Sequence, residues 1–215
     1  GYPNGYKAFY IMKYELTRAA YLDFLNHLTP AQANTMIGKY SSFMIVDFYQ
    51  FKAGSITGEH PNLANAQAWR AASLRHGDIN YDYSHWLQYF AYLDWAALRP
   101  FTEMEYEKAC RGPLPPKEWD FPWGLSSRLQ VNRLDNVETP GETASIRAAN
   151  LLAANQYTPP FVPAGPLRNG AMSDATSDQF EAGASYYGVM ELAGNVWERC
   201  VATANVAEAR DFSGL

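Results

Sequence analysis

The chain has 215 residues but only 2 cysteines, Cys110 and Cys200. So few make no disulfide framework, and free cysteines ordinarily serve as small buried hydrophobes. Whether these two meet in a bridge is left open by the sequence. Blocks of Lys or Arg are also missing: 17 basic residues stand against 22 acidic ones, for a net charge of −5. That balance excludes nucleic-acid binding through a phosphate-tracking basic stripe. No apolar run reaches the ~18 residues of a membrane-spanning helix. The 4 histidines, His27, His60, His76 and His85, are scattered without an H-x-x-x-H spacing, which gives no histidine metal cluster. G-x-S-x-G, a glycine-rich phosphate loop and C-x-x-C are absent as well. The opening Gly1-Tyr2-Pro3 has no Met, charged n-region or apolar h-region. It reads as a processed start from which a signal peptide has been removed.

What is present is the composition of a folded protein: 47% apolar, 15% aromatic and 18% charged residues. A chain of this length makes one generous domain or two small ones. The 15 Tyr and 6 Trp lean toward an extracellular surface rich in amphipathic contacts.

"FYIMKYELT" (9–17) alternates and is aromatic and β-branched, so it predicts a strand. Thr17 then caps a helix whose apolar face is Tyr21, Phe24, Leu25 and Leu28. "TPAQ" (29–32) offers a second helix start, with Thr29 as N-cap, Pro30 at the first position and Gln32 completing a capping box. Residues 38–80 read as a loop-rich excursion with one short helix near 64–73. From Tyr83 to Ala97 the pattern is helical again, with Trp86, Phe90, Leu93 and Ala97 on one side. "TEMEYEKACRGP" (102–113) is the clearest signal. Thr102 is the N-cap, Glu105 takes the capping-box position, and Gly112-Pro113 stops the helix. Glu103, Glu105 and Glu107 do not share one helix face, which favours capping and dipole roles over an acid–base pair. Residues 113–185 lose periodicity and are rich in Pro and Gly, with Trp119, Phe121, Trp123, Tyr157 and Phe161 as aromatic anchors. So long a stretch without regular elements is usually functional or pinned by ions and partners.

Four segments occur in order: "FYIMKYELT", "LDWAALRPFTEMEYEKACRG" (93–112), "RAANLL" (147–152) and "YYGVMELAGNVWER" (186–199). They resemble the successive signatures of the formylglycine-generating enzyme / sulfatase-modifying factor family, approximately F-x-I-x-K-x-E-V-T, W-x-x-x-R-L-P-T-E-A-E-W-E-x-A-A-R-G, an A-N segment and Y-G-L-x-D-M-x-G-N-V-W-E-W. The resemblance implies an α+β fold, FGE-like and related to C-type lectins, with short helices, few strands and many ordered loops. It also implies a single domain over 1–215 lacking its C-terminal part, since the chain ends at "RDFSGL" before any R-G-G-S-W stretch or closing G-F-R segment.

In that family the Gly-Asn-Val-Trp-Glu loop is similar to a calcium-binding corner. Carried over, the ligands are Asn195, the carbonyls around Gly194 and Val196, and Glu198, with Trp197 packed inward. Ca²⁺ takes six to eight oxygens, which a tight turn with one carboxylate supplies readily. A second calcium site would use Asn150 and the carbonyl of Leu151. Its usual downstream Asp-Gly partner is not clear here, and Asp174 and Asp178 are substitutes at unfamiliar spacing.

Family enzymes resemble copper-dependent oxidases in which two closely spaced late cysteines bind Cu(I), the soft thiolates that ion demands. This chain has no such pair: Cys110 falls where the family helix has Ala, and Cys200 follows the Trp-Glu corner. Copper is unsupported and no catalytic residue is assigned. The expectation is a non-catalytic module with a structural or binding role in an extracellular or cell-surface assembly. Its completion would come from a protein partner or a missing C-terminal segment. The alternative is a copper-dependent oxidase whose catalytic cysteine segment lies beyond residue 215 or on a partner chain.

Overall fold

The computed structural model describes residues 5–29, 31–32, 85–127, 134–136, 143–144, 168–195 and 198–202. The elements, in chain order, are helix α1 (Arg18–Asn26), α2 (His85–Trp95), α3 (Glu103–Arg111), the short strands β1 (Leu134–Asp135) and β2 (Thr143–Ala144), and α4 (Gln179–Ala182). β1 and β2 pair antiparallel, with Leu134 opposite Ala144. The expected helix near 64–73 and the loop-rich 38–80 stretch lie outside the described residues.

α1 begins as the sequence predicts, with the Thr17 hydroxyl accepting from the Ala20 amide at 3.1 Å. Tyr21, Phe24 and Leu25 recur at helical spacing and are each only 2% exposed. Burying Phe24 and Leu25 contributes about 1.5–3 kcal/mol each. Their partner is Tyr92 of α2, whose ring meets Phe24 edge-on at 5.8 Å, with Tyr89, Leu93 and Ala96 packed around. The buried face of α2 is therefore rotated from the predicted one. Phe90 is 41% exposed while Gln88 and Tyr92 are buried, because α1 presents its aromatic stripe to the 89/92/93/96 side. Ala97 is no longer helical, at φ 55. After α1, the Thr29 amide donates to Gln32 Oε1 at 3.0 Å and the Gln32 amide to Thr29 Oγ1 at 3.3 Å, the expected reciprocal cap.

The segment 9–16 is not a strand. The Met190 amide donates to the Lys13 carbonyl at 2.8 Å, but no ladder follows among the described residues, and the side chains of Tyr6 and Tyr10 stand out in solvent. An alternating pattern needs a second strand to become one.

α3 matches its prediction closely. Thr102 Oγ1 accepts from the Glu105 amide at 3.2 Å, and Glu105 Oε2 accepts from the Thr102 amide at 3.0 Å. Glu105 is 2% exposed and takes a bidentate grip from Arg99, at 2.8 and 2.6 Å. Burial pushes its carboxyl upward, but the Arg99 and Thr102 hydrogen bonds prevail and hold it below the ordinary range. Glu107 instead pairs with Arg111 on the surface. The 198–202 segment runs alongside the start of α3, with a parallel bridge between Thr102 and Val201. Ala109 and Cys110 bury against Val189 and Leu192, which anchors the 185–195 stretch beside α3. Of the expected aromatic anchors, Trp123 is buried and stacks on Phe121 at 4.7 Å. Trp119 is exposed instead, and Tyr157 and Phe161 lie outside the described residues.

Gly112 closes α3 at φ +63, and a Cβ there would stand 2.3 Å from the Tyr186 ring. Gly112→Ala combines left-handed strain with a clash and is expected to cost roughly 1–3 kcal/mol. In a thermal melt that is a drop of several degrees, at about 2–4 °C per kcal/mol; an unchanged midpoint would contradict this packing.

Candidate functional site

The turn over 191–195 is positioned from three sides. Tyr106 of α3 donates its hydroxyl to the Leu192 carbonyl. The Met190 amide bonds the N-terminal segment. The Gly170 amide donates to Glu191 Oε1 at 2.7 Å. Within the loop Glu191, Gly194 and Asn195 all take positive φ, at 64°, 99° and 56°. Asn tolerates that region and Gly favours it, whereas Glu ordinarily avoids it.

Asn195 is 6% exposed, and its side-chain amide donates to Glu15 Oε2 at 2.6 Å. Glu15 also shares a hydrogen bond with the Glu198 carboxyl, and Glu198 feels the charge of Glu191. Glu15 thus meets both Asn195 and Glu198, although 180 positions separate it from Asn195. Glu191, only 8% exposed, keeps Oε2 without a hydrogen-bond partner, and Glu198 keeps Oε1 likewise. Burial pushes Glu191 up to about 7, against the pull of the Gly170 amide and Arg168. Burial likewise pushes Glu198 up to about 7; its own amide and the Glu15 bond oppose this, and the Glu191 charge adds to it.

Of the predicted calcium ligands, Asn195, Gly194 and Glu198 therefore fall within one loop. Val196 and Trp197 lie outside the described residues, as do Asn150 and Leu151 of the second site. Asp174 and Asp178 serve locally. Asp174 Oδ1 accepts from the Thr176 amide at 2.8 Å, and Asp178 Oδ1 caps α4 through the Glu181 amide at 2.8 Å. Sequence reasoning missed Glu191 and Glu15. Glu191 had a signal, because it stands where the family pattern carries its Asp, four residues ahead of Asn195. Glu15 had none, being separated from Asn195 by 180 positions.

Among the described residues no three His, Cys, Asp or Glu side chains converge tightly enough to hold a metal by themselves. A cation here would rest on two carboxylates together with backbone oxygens, a hard-oxygen set of the kind Ca²⁺ accepts. The two orphaned carboxylate oxygens fit that use, since a buried carboxylate atom without a partner is costly. Glu15 and Glu198 also border a cavity of about 470 Å³, walled by side chains including Phe9, Tyr14, Tyr92 and Phe101. The thiols are placed differently. Both cysteines are free. Burial pushes Cys110 up to about 12, with the Tyr106 bond opposing and the charge of Glu107 adding, and pushes Cys200 up to about 11.

Residues 4–209 match the model of the sulfatase-modifying factor enzyme 1-like domain. No curated protein and no solved structure matches the chain. No helix among the described residues is long and apolar enough to cross a membrane.

Without divalent cations, the raised values of Glu191 and Glu198 mean that the folded state holds their protons more tightly than the unfolded chain does. The resulting stability is complete below the ordinary carboxylate range and is lost as pH rises through about 7. Melting in chelator should therefore fall by several degrees from pH 5 to pH 8, and Glu191→Gln should flatten that decline. A midpoint that is constant or rising over this window would contradict the burial of these groups.

Proposed function

We propose that this chain, which belongs to the sulfatase-modifying factor enzyme 1-like family, is a non-catalytic, calcium-stabilised module of that family. Its role would be structural or binding, in an extracellular or cell-surface assembly, on an α+β scaffold related to C-type lectins. The observation that carries the reading is the pair of buried carboxylate oxygens, Glu191 Oε2 and Glu198 Oε1, left without protein partners beside a Gly-Asn turn. Bound there, Ca²⁺ supplies positive charge. It replaces the protons that burial otherwise imposes and ties the 191–198 loop together. Glu191, Glu198, the Asn195 side-chain oxygen and backbone oxygens near Gly194 would hold it.

The thiols support the non-catalytic half of the reading. Nucleophilic or metal-binding cysteine acts as thiolate and sits in surroundings that lower its pKa. Cys110 and Cys200 are shifted the opposite way, so both are suited to packing.

Calcium added to chelator-treated protein at pH 7.5 should raise the melting temperature, with a stabilisation of about 2.7 kcal/mol at a hundredfold excess over Kd. Mg²⁺ should do so less. An unchanged midpoint at millimolar Ca²⁺ would contradict the reading. So would turnover of a cysteine-containing peptide to an aldehyde product by this chain supplied with Cu(I) and oxygen, which would restore the oxidase.

A further inference from the structure

The stretch from Ala8 to Met12 has the pattern of a strand and no neighbour to pair with. Its backbone runs without a bend between the bends at Lys7 and at Lys13–Tyr14. Both ends are tied down: the Lys7 carbonyl accepts from Lys108 Nζ at 3.1 Å, and the Lys13 carbonyl from the Met190 amide at 2.8 Å. Between these anchors, among the described residues, Ala8, Phe9, Tyr10, Ile11 and Met12 form no hydrogen bond, so their amides and carbonyls are open. Their side chains alternate. Phe9 and Ile11 are half-buried, with Ile11 packed on the cluster of Ala109, Cys110, Val189 and Leu192. Ala8, Tyr10 and Met12 face solvent, and Tyr10 is fully exposed. Alternation with free N–H and C=O groups describes a sheet edge that lacks its next strand.

The space beside this edge suits a chain more than a compact ligand. The cavity of about 470 Å³ is lined by residues 8–12 together with Tyr89, Leu93, Leu98, Phe101 and Met190. Its apolar walls can receive side chains while the edge supplies main-chain hydrogen bonds, the two elements by which an extended peptide is recognised. Glu15 and Arg99 also border the cavity, but they are engaged by Asn195 and Glu105.

Charge selects among the strands that could pair. Lys7 and Lys13 stand exposed at the two ends. A second copy pairing antiparallel about Tyr10 would lay Lys7 against Lys13 at both ends, and like charges placed opposite one another destabilise a strand pair. Lysine on an edge is a common guard against such self-association. A strand bracketed by carboxylates meets both lysines favourably.

We propose that residues 8–12 are a docking edge for an extended peptide strand of a partner protein, one with alternating apolar side chains and an Asp or Glu at each end. No cation takes part in this contact.

The test uses a capped seven-residue peptide, D-V-T-V-T-V-D, titrated into the full chain in chelator, with amide hydrogen exchange read at 8–12. In the free chain these amides should exchange without protection, and saturation with peptide should slow those on the paired edge at least tenfold. N-methylation of alternate peptide residues, made in both alternating sets, should weaken binding at least tenfold in one set, because it removes donors and leaves the side chains. Lys7→Glu with Lys13→Glu, two exposed changes whose folding is checked by melting, should weaken this peptide and tighten K-V-T-V-T-V-K, each by about three- to tenfold. Amides at 8–12 already protected in the free chain would show the edge to be covered and overturn the proposal. Equal binding of both methylated peptides would mean docking by side chains alone and overturn it too, as would a peptide that fails to bind at millimolar concentration. Protection that appears with rising protein concentration and dimer formation would assign the edge to a second copy instead.

Discussion

Everything around the 191–198 loop answers to one constraint, the burial of carboxylates. Taking an ionised carboxylate out of water costs several kcal/mol unless charge or hydrogen bonds replace the lost hydration. The chain buries Glu105 and Glu191 almost completely and sets a largely buried Glu198 within reach of the Glu191 charge. Glu105 is fully answered, by a guanidinium and by the capping of its own helix, and its carboxyl stays ionised. Glu191 is answered in part by the Gly170 amide and the Arg168 charge, and Glu198 by its own amide and Glu15, yet burial prevails and both are driven toward neutrality. One residue type thus serves two purposes. At Glu105 the network is closed and holds α3 to the 97–101 connection. At the loop it is open, with Glu191 Oε2 and Glu198 Oε1 left without a hydrogen-bond partner.

That contrast explains how packing and chemistry divide the molecule. α1 and α2 form an aromatic core that is indifferent to charge. α3 carries the closed network, lends Tyr106 to the Leu192 carbonyl, and lends Ala109 and Cys110 to a small apolar cluster. These contacts hold the loop from the α3 side, while the Gly170 amide and Glu15 approach from elsewhere in the chain. The backbone strain of Glu191 at φ 64 is held in place by surroundings that over-determine the turn. The cavity beside Glu15 and Glu198 places that turn next to an apolar recess, a setting in which any bound charge is strongly felt.

Much of this was legible in the sequence where the signals were local. The Thr102–Glu105 and Thr29–Gln32 boxes, the Thr17 cap and the Tyr21/Phe24/Leu25 stripe depend on neighbours within one or two turns, and all stand as read. The face of α2 was misread because Trp86, Phe90 and Tyr92 allow more than one apolar stripe, and only the position of α1 chooses among them. The strand over 9–17 was misread because alternation encodes a willingness to pair but not the presence of a partner. At the loop, the Gly-Asn turn and Glu198 were visible as a motif. The role of Glu15 was not, since it arises from a contact between stretches far apart in the chain. Asp174 and Asp178 each engage Oδ1 in a local turn or cap, a use their Asp-x-x-Ser and Asp-x-x-Glu spacing already permits.

The account depends most on what lies between Glu191 and Glu198. Anomalous diffraction from crystals grown in Ca²⁺ would settle it directly. The account predicts a peak about 2.3–2.6 Å from oxygens of both carboxylates and from backbone carbonyls of the turn. A map without that peak, showing the two side chains held by a proton or a water alone, would contradict it.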